Sequence, residues 1–144
     1  MAEAFRALVI HGDEPMRREI KAALEARGVE ALTASCGLTG LDVLIEHLFE
    51  IAVVVADAEA SGLDGFRLAR LIRQLGNEQD LHLVITMPRP AAAVAGALEA
   101  LGVDAVVDRA DGPGRIADRA ATLLARGERR IPAGPPGLAA AAAR

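Results

Sequence analysis

The 144-residue chain is long enough for one domain with a single well-buried core. Hydrophobic residues make up 52% and aromatics only 2%, so a disordered chain is excluded, the core must be aliphatic, and base-stacking surfaces for single-stranded nucleic acid are disfavoured. The net charge of −4, from 16 basic and 20 acidic residues with no basic block, speaks against direct nucleic-acid or membrane binding.

The elements alternate from the start. Residues 6–10, RALVI, form a short apolar run that stops at His11-Gly12 and reads as a buried strand. Pro15 sits where a first helical residue should, followed by Met16, Ile20, Ala23 and Leu24 at helical spacing until Arg27-Gly28. Residues 29–34 are a second strand. Leu38, Leu41, Leu44, Ile45 and Leu48 form the apolar stripe expected to face inward from a second helix. Residues 51–56, IAVVVA, are continuously apolar and β-branched, as a central parallel strand covered on both faces should be.

After the loop at 57–62 comes a third helix with Leu68, Leu71, Ile72 and Leu75 inward, ended by Gly76-Asn77. Residues 81–86 are the fourth strand, 90–101 an alanine-rich helix, 103–107 the fifth strand. A last helix over 114–126 places Ile116, Ala120, Leu123 and Leu124 on one face. Residues 127–144 are rich in Pro, Gly and Ala without a periodic apolar face, and are expected to be a flexible tail after a domain at 1–126. Cys36, the single cysteine, excludes an internal disulfide and reads as a small buried or loop thiol. No apolar run approaches the ~18 residues needed to span a bilayer, and no signal pattern opens the chain. A soluble, cytoplasmic protein is expected.

Five strands alternating with five helices imply an α/β doubly wound fold with a parallel sheet. In such folds ligands bind outside the carboxyl ends of the strands. Those ends carry Gly12, Asp13 and Glu14 after strand one, Asp57 after strand three, Thr86 on strand four, and Asp108 and Arg109 after strand five. Carboxylates brought together repel unless a proton or a cation intervenes. With oxygen ligands that cation would be Mg²⁺. Asp57 could then attack a phosphoryl donor, with Arg109 and the Thr86 hydroxyl on the transferred oxygens.

The motifs GDEP at 12–15, VVVAD at 53–57, GLDGF at 62–66, LVIT at 83–86 and GVDAVVDR at 102–109 are similar to those of the response-regulator receiver family of bacterial two-component systems, CheY-like domains. The resemblance spans residues 5 to about 126; Asp57 with Asp64-Gly65 seven residues on is its most specific piece. It implies a flavodoxin-like (βα)5 sandwich with strand order 2-1-3-4-5. It also implies Asp57 as phosphoacceptor, Asp13 as the second acidic Mg²⁺ ligand, Thr86 as the switch hydroxyl, and Arg109 in place of the phosphate-sensing lysine. Implied partners are a histidine kinase or phosphotransfer protein and a downstream target or output domain. The face of helix four, strand five and helix five is implied as the surface for partners or a homodimer. No enzymatic activity is implied beyond the domain's own phosphorylation and dephosphorylation.

The sequence departs from the family pattern at several points. Gly12 replaces the first of two adjacent acids, so Glu14 or Glu59 would have to complete a metal site with Asp13 and Asp57. Arg109-Ala110 replaces lysine–proline, and without proline the bond should be trans, since cis costs roughly 3 kcal/mol. Arg109 could grip phosphate or pair with Asp57. Val106 replaces the switch aromatic, Met87 stands where a small residue is usual, and Ser61 where proline is. Two functions follow: a phosphorylation-driven switch, and a phosphorylation-independent adaptor that keeps the fold for protein contacts. Bland readings stand beside them: Asp13 and Glu14 as N-terminal helix acids, His11 as a satisfied neighbour of the pocket, His47 and His82 without metal spacing, and Arg115, Arg119 and Arg126 with Asp118 as a solvated face. An independent enzyme is disfavoured, because HGDEP lacks a dinucleotide-binding glycine pattern and no Walker lysine or nucleophile elbow is present.

Overall fold

The computed structural model describes residues 6–60, 62, 64–75 and 81–125. The expected tail at 127–144, Ser61, the Gly76-Asn77 helix stop and Arg126 lie outside the described residues.

The chain runs β1 (Arg6–Ile10), α1 (Glu14–Glu25), β2 (Glu30–Ala34), α2 (Gly37–Glu46), β3 (Ile51–Asp57), α3 (Gly65–Leu75), β4 (His82–Met87), α4 (Ala92–Ala100), β5 (Ala105–Asp108) and α5 (Gly112–Ala125), with a single 3₁₀ turn at Arg109–Asp111. The five strands are parallel and ordered β2-β1-β3-β4-β5, the order the motifs imply. Because side chains alternate along a strand, each strand feeds two cores. Ala7, Val9, Val53, Val55, Val84 and Val107 meet Ile20 and Leu24 of α1 and Ile116 and Ala120 of α5. Leu8, Ile10, Val54, Leu83 and Ile85 meet Leu44 of α2, Leu68 and Ile72 of α3 and Leu98 of α4. Both layers are aliphatic, as the composition requires.

α2 corrects one expectation. Its leucine stripe does not all turn inward: Leu44 is buried, Leu41 and Leu48 are half-buried, and Leu38 and Ile45 are exposed. The residues buried on this helix are Gly37, Gly40 and Leu44. The side chain of Ile10 fills the space a Cβ on Gly40 would need. The helix therefore seats Gly40 on β1, and part of the leucine stripe faces outward.

Candidate functional site at the carboxyl edge of the sheet

Asp57 is the last residue of β3 and pairs in register with Thr86 on β4. Both are buried. The Thr86 hydroxyl donates to Asp57 Oδ1 at 3.0 Å. The loop after β3 folds back over the carboxylate, with the Glu59 amide donating to Asp57 Oδ2 at 3.2 Å. This loop is anchored where Ala58 N donates to Thr86 O at 2.8 Å and Gly65 N to Ala58 O at 3.1 Å. The loop packs closely on Gly65, where a Cβ would lie 3.0 Å from the Ala58 Cα. Asp64 caps α3 through the Arg67 amide at 2.9 Å.

Arg109 reaches in from the 3₁₀ turn after β5, and no described peptide bond, Arg109-Ala110 included, is cis. Its Nε donates to Asp57 Oδ1 at 3.1 Å, and Nη2 donates to Oδ1 at 2.6 Å, to Oδ2 at 2.8 Å and to Glu59 Oε1 at 3.0 Å. Burial alone would lower the guanidinium's pKa, but its bonds to Asp57 and Glu59 outweigh that and raise it. Arg109 is thus a permanent cation wedged between two carboxylates.

His11 closes the floor. Its Nδ1 accepts from the Asp13 amide at 3.1 Å, so the neutral ring carries its proton on Nε2. That nitrogen is buried, has no hydrogen-bond partner, and lies 3.8 Å from Asp57 Oδ1. Burial dominates and lowers the His11 pKa, against the raising pull of Asp57.

Solved structures share this architecture. A response regulator receiver domain from Clostridium thermocellum superposes with a TM-score of 0.75 at 23% identity, over 85% of this chain and 95% of that one. The signal receiver domain of NarL from Mycobacterium tuberculosis gives 0.76 at 20% identity, over 88% and 100%. The chain has the response-regulator receiver fold. A two-component system response regulator/GGDEF domain protein matches with 0.77 at 19% identity, over 86% of this chain and 50% of its own length. No family model matches the sequence, and no curated protein matches it.

Within this receiver fold the expected site residues divide into two groups. Asp57, Thr86, Arg109 and Glu59 are brought together. Asp13 and Glu14 make no hydrogen bond or ion pair to any of these four. Asp13 is exposed and spends Oδ2 on capping α1, accepting from Met16 N at 3.0 Å. Glu14 faces Arg17 and Arg18 at 3.9 and 3.8 Å. These four carboxylates do not fit a shared Mg²⁺ ion as they stand. Asp57 is saturated by Arg109, the guanidinium occupies the gap to Glu59, and the α1 acids are turned to their own helix. Among the described residues no group of three or more His, Cys, Asp or Glu side chains is set to hold a metal. Met87, half-buried, packs on the α2–α3–α4 core.

A second polar cluster escaped the sequence reading. Arg73 of α3, buried, donates to Gly102 O at 3.1 and 2.5 Å, to Leu81 O at 2.7 Å and to Asp104 Oδ2 at 3.2 Å. Asp104 also accepts from the Leu83 amide at 2.8 Å, and His82 Nδ1 lies 3.7 Å from it. The only signal in the sequence is two polar residues, His82 and Asp104, at the openings of neighbouring apolar strands. No helix among the described residues is long and apolar enough to cross a membrane.

Proposed function

We propose that this domain is a signalling receiver working as a phosphorylation-independent protein adaptor, with its acid pocket closed by Arg109 instead of being charged by metal and phosphate. The supporting observation is the Arg109 fork, which bonds both oxygens of Asp57 and continues to Glu59. A nucleophilic carboxylate needs a free oxygen. Here Oδ1 accepts from Arg109 Nε and Nη2 and from Thr86, and Oδ2 from Arg109 and the Glu59 amide. Freeing either oxygen for attack therefore requires the Arg109 fork to swing away from the carboxylate. The partner on this reading is a downstream protein or output domain; the neighbour described as a response regulator/GGDEF domain protein, of which this chain matches half, supports such an arrangement.

The competing reading is acceptance of a phosphoryl group on Asp57 from a histidine kinase or phosphotransfer protein, with Mg²⁺. It is favoured by the strand register that sets the Thr86 hydroxyl and a guanidinium on the same carboxylate. One experiment separates the two. The protein is incubated with acetyl phosphate with and without Mg²⁺, and its intact mass is read for an acid-stable, base-labile phosphoryl increment. The adaptor reading expects none in either arm. A stoichiometric increment that vanishes in Asp57→Asn would restore the acceptor reading, and its dependence on Mg²⁺ would tell whether Arg109 yields to the ion.

A further inference from the structure

An adaptor needs a docking surface, and the large apolar side chains that stand exposed among the described residues are unevenly placed. They are Leu38, Ile45, Phe49 and Phe66, all on α2, the turn after it, and the first turn of α3. None lies on α4, whose outer residues Ala92, Ala93, Gly96, Ala97 and Ala100 are small, or on α5. Single exposed leucines need no explanation. Here, however, a chain with three aromatic residues leaves Phe49 85% exposed, beside Leu38 at 57% and Ile45 at 53%. Leu38 and Ile45 are seven residues apart, about two helical turns, so they share one side of α2. That side is outward because the buried side of α2 carries Gly37, Gly40 and Leu44, with Gly40 against Ile10 of β1.

Along α2 and the turn after it the charge has one sign. Asp42 and Glu46 are exposed on α2, and Glu50 follows in the turn. From 37 to 50 there is no lysine or arginine, and the one histidine, His47, is bonded to Glu50 at 3.0 Å. An apolar stripe bordered by carboxylates complements a helix that carries an apolar row flanked by lysines or arginines.

We propose that the outer face of α2 and the following turn, centred on Leu38, Ile45 and Phe49, docks a basic amphipathic helix of a partner protein. This names the surface for the adaptor reading and rests on it. The recognition is the helix-in-groove kind, with apolar anchors at helical spacing supplying affinity and Asp42, Glu46 and Glu50 selecting against acidic partners.

The test uses the full chain and two fluorescent model helices about five turns long, one of leucine and lysine, the other of leucine and glutamate. Fluorescence anisotropy reads affinity and backbone amide shifts read the site. The lysine helix should bind, with shifts centred on residues 37–50, and the glutamate helix should not. The double variant Ile45→Ser, Phe49→Ser keeps every charge and removes no core side chain; it should weaken binding about tenfold or more. Glu46→Lys should weaken it further at low salt than at high salt. Three results overturn the proposal: unchanged affinity in the double variant, shifts centred elsewhere, or self-association of the wild-type chain that the double variant abolishes, which would make a second copy the occupant. Helix binding is read on protein not exposed to acetyl phosphate and the phosphoryl increment on a separate sample, so a failure here and a failure of the adaptor reading are told apart.

Discussion

The two ends of the sheet carry the same three residue types arranged for different ends. At the carboxyl edge Arg109, Asp57 and His11 cluster; at the amino edge Arg73, Asp104 and His82 do, with imidazole-to-carboxylate distances of 3.8 and 3.7 Å. The partners of the arginines differ. Arg73, with a side chain 6% exposed, bonds the carbonyls of Leu81 and Gly102 as well as Asp104 and so ties α3 to the openings of β4 and β5. Arg109, 28% exposed, gives all its bonds to carboxylates and none to main chain. A guanidinium bonded to backbone is part of the scaffold. One bonded only to side chains at the rim can be released without opening the sheet.

Replacing Arg73 is the strongest way to expose this difference. Arg73→Ala leaves two buried carbonyls and Asp104 without the guanidinium, and should cost about 3–5 kcal/mol, the range for breaking a buried pair, measured by urea denaturation. Gly102→Ala follows. Gly102 has φ of +97° and a Cβ there would lie 2.7 Å from Arg73 Nε, so strain and displacement of the fork should together cost about 2 kcal/mol. Arg109→Ala should cost much less, about 1 kcal/mol, because the rim is partly solvated and Thr86 and the Glu59 amide still hold Asp57. If Arg109→Ala proved as damaging as Arg73→Ala, the distinction between anchored and releasable arginine would collapse.

The smallest effect is the pH dependence of the carboxyl edge. His11 has its pKa lowered in the fold, chiefly by burial. The unfolded chain therefore takes up a proton on His11 at a pH where the folded chain does not. The stability involved is present above the ordinary imidazole range, roughly pH 6.5, and is lost as pH falls through it. Thermal melts from pH 8 to 5 should show a decline in wild type that is shallower in His11→Asn; equal slopes would mean that the ring protonates freely in place.

The meeting of Asp57, Thr86 and Arg109 was legible because strand ends in a parallel sheet converge by topology, and the residues at those ends could be read off; the strand order was legible only through the family resemblance. The role of Asp13 was legible only as two alternatives, since the same carboxylate can cap a helix or face the pocket, and its Oδ2 is found capping α1. The rotation of α2 was not legible. Leu38, Leu41, Ile45 and Leu48 recur at helical spacing, and so do Gly37, Gly40 and Leu44; apolar weight favours the first set, while the closeness allowed by a missing Cβ decided for the second. Arg73 was hidden for a different reason. Its acceptors are mostly carbonyls 8 and 29 residues away, and a carbonyl leaves no trace in residue identity.

The contact of Gly40 with Ile10 has a consequence for how α2 meets another molecule. With a side chain of β1 filling the space beneath it, the helix has no room to slide or sink toward the sheet. An incoming helix would find a preorganised platform, so the ordering cost of association would fall on the partner and on a few side chains such as Phe49. Gly40→Ala, by lifting α2 off β1, should therefore loosen the surface before it unfolds the domain.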